Sequence, residues 1–79
     1  KGLPLIREGA RLGVVKAIQE SLNLIAGTKL GVDGHYGPQT ANAVANFQRF
    51  FGLQPDGVFG PQTQMAMLAV LGRIRDGQA

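Results

Sequence analysis

The sequence predicts an all-α fold, a small closed three-helix bundle in which two helices start from repeated turn-helix units. Two observations predict it. The octapeptide Asp33-Gly-His-Tyr-Gly-Pro-Gln-Thr40 returns 23 positions later (56 − 33) as Asp56-Gly-Val-Phe-Gly-Pro-Gln-Thr63, with six of eight residues identical. Such self-similarity marks one supersecondary unit used twice. The intervening apolar residues recur at the three- and four-residue spacings of a helix face, and no stretch alternates with the period of a half-buried strand.

Residues 1–12 carry Gly2, Pro4 and Gly9 and no sustained period, so an extended or looped lead-in is expected, with Leu3, Leu5 and Ile6 tucked against the body. From Gly13 the pattern is helical: Val15, Ile18, Leu22 and Ile25 form one apolar stripe, while Lys16, Glu20 and Ser21 take other directions. Gly27 suits the left-handed position just past a helix C-terminus. Thr28 to Val32 then forms a short loop into the first repeat.

Each repeat has a mechanical reading. Asp33-Gly34 and Asp56-Gly57 are turn dipeptides, in which the carboxylate accepts nearby backbone N–H groups and the glycine takes positive φ. Tyr36 and Phe59 are apolar plugs. Gly37-Pro38 and Gly60-Pro61 place proline at the first helical position, where its missing N–H costs nothing. Thr40 and Thr63 fall in the first turn, where a hydroxyl can reach back to the loop. The second helix is expected from Pro38 to Phe51, with Val44, Phe47 and Phe51 as its stripe, Ala43 and Phe50 alongside, and Gly52 as its stop. The third, from Pro61 to Leu71, turns Ala66, Met67, Val70 and Leu71 inward, and Met65 and Met67 fill its side of the core. From Gly72 the chain is polar and a frayed end is expected. The domain is thus placed at 13–72, between a lead-in at 1–12 and a tail at 73–79.

Seventy-nine residues without cysteine make one domain close to the size where a lone core is marginal, so stability must come from apolar packing and well-terminated helices. Eight basic and five acidic residues give a net charge of +3, and the bases are scattered, whereas a nucleic-acid surface clusters them. No apolar run approaches the roughly 18 residues of a membrane span. The chain opens on Lys1, so a mature product or excised module is expected, with any targeting segment lying outside it.

A catalytic constellation is not expected. His35 is the lone imidazole and Ser21 the lone serine, far apart in sequence, while acyl-transfer catalysis needs nucleophile and base in contact. One histidine and no cysteine give no convergent metal set, so neither metal nor cofactor is expected. Asp33 and Asp56 resemble a carboxylate pair only formally; their identical place before glycine assigns them to bracing the turns.

The strings Gly9-Ala-Arg-Leu-Gly-Val-Val15, Ile18-Gln19-Glu-Ser-Leu22-Asn23, Ala43-Val44-Ala-Asn-Phe47-Gln48 and Gly52-Leu53, in order around the two octapeptides, resemble the peptidoglycan-binding domain found beside bacterial and phage wall hydrolases. The likeness runs from about Gly9 to Leu71. It implies a wall anchor that leaves catalysis to a neighbouring domain, in a protein of the cell envelope, secreted, or phage-encoded. It also implies that Gln19 and Gln48 hydrogen-bond neighbouring loops. The same bundle occurs in metalloproteinase propeptides, so an interaction or pro-region module contacting its own polypeptide is the alternative. The chain departs from the family pattern at Leu12, where a glycine is frequent, at Gln64, where tryptophan is frequent, and at Phe51, a commonly polar position. These departures bear on the binding surface more than on the fold.

With no Trp and one Tyr, a sugar-stacking platform is expected only at Tyr36. The polymer also offers amides and carboxylates, which suit helix N-termini, carboxamides and a few cations. Asn42, Asn46 and Arg49 project from helix two away from its stripe, and with His35, Tyr36 and Gln39 they form the expected contact surface. Tyr36 pairs with Phe59 and His35 with Val58 in the second copy, so each also reads as part of the corner, Tyr36 then being a half-buried plug with its hydroxyl outward. A monomer is expected, with weak affinity multiplied by attachment to a many-sited polymer.

Overall fold

In the computed structural model, which describes Ile6 and residues 13–77, three helices follow one another: α1 (Gly13–Ile25), α2 (Pro38–Phe50) and α3 (Pro61–Gly77). The first helix is central, since both α2 and α3 pack against it. Its stripe supplies Val15, Ile18 and Leu22 to the core, α2 adds Ala43, Val44 and Phe47, and α3 adds Met67; Ile25, Ala66 and Leu71 pack at the margin. Helices of 13 residues, as α1 and α2 are, are marginal alone, so the shared apolar centre carries the fold. Among the described residues no strand ladder forms. One isolated antiparallel bridge joins Ile6 to Phe59 through N–H···O bonds of 3.2 and 2.6 Å, and Ile6 is buried. Leu3, Leu5 and the rest of the expected lead-in lie outside the described residues.

Both corners fold as their residue types dictate. Gly34 and Gly57 adopt φ of 77° and 72°, and the Asp33 and Asp56 carboxylates accept the N–H of His35 and Val58, each at 2.9 Å. Proline opens α2 and α3. The threonines behave differently from expectation: Thr40 and Thr63 are buried, and each hydroxyl accepts a glutamine carboxamide rather than reaching the loop itself.

That carboxamide is the main device of the fold. Gln19 of α1 donates Nε2 to Asp33 Oδ1, the His35 carbonyl and Thr40 Oγ1, each at 3.1 Å. Its Oε1 accepts the N–H groups of Asp33 and Gly34 at 3.1 and 3.0 Å. Gln48 of α2 repeats the arrangement one unit on, donating to Asp56, Val58 and Thr63 and accepting from Gly57. Each helix thereby pins the corner that launches the next. The first link is longer, and its extra loop is braced by Asn23, which accepts from the Leu30 N–H and the Thr28 hydroxyl and donates to the Leu30 carbonyl.

Two helix ends and two side chains depart from expectation. Helix α2 stops at Phe50, and the Gly52 and Leu53 N–H groups bond the Arg49 and Gln48 carbonyls at 3.1 and 2.8 Å around Gly52 at φ 71°. This is a Schellman closure. Phe50 lies on the solvent side, 83% exposed, not beside the core stripe; it follows Phe47 by three residues, but the core beneath that turn is already occupied by Phe47. Met65 is likewise exposed, and Met67 alone of the two methionines is buried. Finally, α3 does not end at Leu71 but continues through Gly72 to Gly77, because one glycine inside a helix costs only about 1 kcal/mol.

Candidate functional site

The six residues expected to form a contact surface separate into two groups. Gln39, Asn42, Asn46 and Arg49 are all exposed on α2. Their spacings of three, four and three put them on one face. Arg49 Nη1 donates to Asn46 Oδ1 at 2.8 Å on this exposed face. His35 is exposed at the first corner, with its ring over Gly37.

Tyr36 does not belong to this surface. It is 0% exposed and its hydroxyl points inward, donating to the Gly57 carbonyl at 2.7 Å. A ring fully inside the core cannot stack on a sugar. Instead it ties the first corner to the second, a role that Phe59, lacking the hydroxyl, cannot return.

The aromatic surface lies elsewhere. A groove of about 420 Å³ opens between the end of α1 (Ile25) with Ala26 and Thr28 beyond it, α2 (Ala43, Asn46, Phe47, Phe50) with Phe51 just past its end, and Val70 of α3. That size falls within the roughly 300–1,000 Å³ of small-ligand clefts. Phe47 and Phe51 meet at 4.8 Å between centroids, and Phe50 stands edge-on to Phe51 at 5.2 Å and 81°. The first pair is tilted at 50°, and the second is the T-shaped arrangement that aromatic quadrupoles favour. Among the described residues no ionisable side chain lines the groove, and Asn46 is the expected contact residue that borders it. Sequence reasoning placed Phe50 with the core and so missed the aromatic rim. The available signal was the doublet Phe50-Phe51 immediately before Gly52, since a helix turn that already buries Phe47 leaves little core space for two further aromatic rings at its end.

Other sites are less developed. Asp33 and Asp56 lie below their ordinary value of 3.8, held there first by the N–H of His35 and Val58 respectively and then by the glutamine carboxamides. They are structural anions. Among the described residues no group of three or more His, Asp or Glu could hold a metal ion, and no helix is long and apolar enough to cross a membrane. A shallower apolar groove of about 230 Å³ lies between α1 and α3, bordered by Val14, Ile18, Met67 and Leu68.

Fold and surface together define a class: a compact helical module with clamped corners and an open, largely apolar groove beside an amide-rich helix face. The chain belongs to the family described as "Putative peptidoglycan binding domain", whose model matches residues 12–67. It is similar to the N-acetylmuramoyl-L-alanine amidase CwlL of Bacillus licheniformis, with 43% identity over 63 residues, covering 72% of this chain and 18% of the amidase. The amidase CwlM of Mycobacterium tuberculosis is 36% identical over 76 residues, covering 96% of this chain and 18% of that protein. The chain therefore spans less than a fifth of either amidase. Among solved structures, a Clostridioides difficile peptidoglycan-binding protein in complex with glutamine hydroxamate superposes with a TM-score of 0.76 at 41% identity, covering 81% of this chain and 40% of that one. The Burkholderia AP3 phage endolysin gives 0.78 at 37% identity, covering 85% and 25%.

Proposed function

We propose that this chain holds bacterial cell-wall peptidoglycan without acting on it, and that it anchors an attached catalytic domain such as a wall hydrolase. The observation that carries the reading is the family match across both clamped corners and all of α2, the helix that presents the groove and the Gln39–Arg49 face. The arrangement suits retention and not turnover. His35 lies at an exposed corner, the two corner aspartates are engaged by turn N–H groups and glutamines, and among the described residues no nucleophile stands beside a base. Action at the envelope, outside the cell or in a phage lytic protein accords with the wall-active relatives. The module works as a monomer needing no cofactor, and tethering raises the local concentration of the linked enzyme on a repeating polymer.

The test is co-sedimentation of the 79-residue chain with purified insoluble sacculi. Pelleting above a control protein at low salt is expected; its absence would overturn the proposal. A second reading, docking onto a neighbouring domain of the same polypeptide, is favoured by the apolar α1–α3 groove with Val14 and Leu68 exposed at its edge. It predicts that charge-bearing substitutions at Leu68 release the catalytic domain while sacculus binding persists.

A further inference from the structure

We propose that the groove between α1 and α2 receives the glycan strand of the polymer, not its stem peptide, with an N-acetylated sugar ring laid against Phe50 and its acetamido group met by Asn46. The assignment deepens the peptidoglycan reading and rests on it. Four observations carry it.

Among the described residues no ionisable side chain lines the groove, although the Arg49 guanidinium reaches its border residue Asn46. A stem peptide brings carboxylates and amines, and burying these against an apolar wall costs their hydration, which one border guanidinium offsets for a carboxylate only. An N-acetylhexosamine is neutral: it offers a C–H face, an acetamido methyl and one amide, which match an apolar trough with a single carboxamide at its border.

Among the described residues Phe50 is the most exposed large apolar side chain, at 83%. Its ring nevertheless has a neighbour, because Phe51 stands against it edge to face and itself meets Phe47 at a tilt of 50°. An exposed yet oriented aromatic is what sugar stacking requires, since the ring loses little freedom when the ligand arrives.

Asn46 is oriented too. Arg49 occupies its Oδ1, which leaves the Nδ2–H groups as donors for an acetamido carbonyl. Finally, the volume of about 420 Å³ falls in the small-ligand range, so the groove suits a short stretch of sugar rather than the flat footprint of a folded partner.

The experiment follows retention of the 79-residue chain on sacculi, on peptide-free glycan strands prepared from them, and in competition with β-1,4-linked N-acetylglucosamine trimer or released stem peptides. Expected are retention on bare glycan, competition by the trimer alone, and amide resonance shifts at Asn46, Phe50 and Phe51 on adding the trimer. Phe50→Ser and Asn46→Ala should each weaken retention about tenfold with unchanged melting temperature, both residues being exposed. Competition by stem peptide but not by the trimer overturns the assignment. So does wild-type retention by Phe50→Ser, or a concentration-dependent dimer abolished by Phe50→Ser while glycan retention persists. In those cases the chain still pellets with sacculi and the proposed function stands; a wild-type chain that never pellets overturns both.

Discussion

Replacing Gln19 by leucine should reveal how much of this small domain depends on one carboxamide. Leucine approximates the side-chain volume, so little cavity forms and the loss is chiefly polar. Five hydrogen bonds disappear. Water can replace those to Asp33 and His35, which are only partly buried, but the bonds to the Gly34 N–H and Thr40 hydroxyl are fully buried. A buried polar group left without a partner costs about 1–3 kcal/mol, so the variant should lose roughly 2–6 kcal/mol. A chain of this length is held by about 4–12 kcal/mol in all. At about 4–8 °C per kcal/mol for a domain of this size, even the lower end lowers the melting temperature by roughly 8 °C. Far-UV circular dichroism of the helices reports the transition, with exposed Gln62→Leu as the control. A double-mutant cycle with Thr40→Val isolates the coupling, which should exceed about 0.5 kcal/mol. Melting curves of Gln19→Leu and Gln62→Leu that coincide would refute the clamp as a source of stability.

Gly57→Ala should destabilise by about 1–2 kcal/mol, because φ is 72° and the added Cβ would stand 3.2 Å from the Ala41 carbonyl oxygen; Gly72→Ala, inside α3 with nothing within 4 Å, should instead stabilise by about 0.5–1 kcal/mol. Urea titration distinguishes the two signs. Tyr36→Phe removes the buried bond to the Gly57 carbonyl and should cost about 1 kcal/mol or more, read by thermal melting. Both corner aspartates are held below 3.8, so the unfolded chain binds more protons than the folded one as acid is added. Their contribution is complete above 3.8 and is lost as pH falls through the lowered folded values. The Asp33→Asn/Asp56→Asn double variant should therefore melt with a shallower acid slope than the parent, measured across that window.

How far the fold could be read from residues depends on the range of the interaction involved. The corners were legible because Asp-Gly and Gly-Pro act on their own backbone: positive φ at Gly34 and Gly57 and proline at both helix starts follow from local sterics. The stripe Val15, Ile18, Leu22 was legible because helical spacing reports one face. The extent of α3 was not, since Gly72 is a stop signal only when the following turn lacks support. The glutamine clamp could be inferred through the family likeness. Its partners could not be listed in advance, because Gln19 and Thr40 meet only when two helices pack.

For the candidate surface the division is sharper. The sequence by itself determined the three helices, the duplicated corners, the membership of a wall-binding family and the polar face from Gln39 to Arg49. Only the tertiary structure decided which aromatics face outward. Helical spacing cannot tell whether Tyr36 or Phe50 is the exposed ring, because that depends on which space the neighbouring helices leave. Phe47 already fills the place beneath the last turn of α2, so Phe50 is displaced to solvent, while the Gly57 carbonyl offers Tyr36 an acceptor inside.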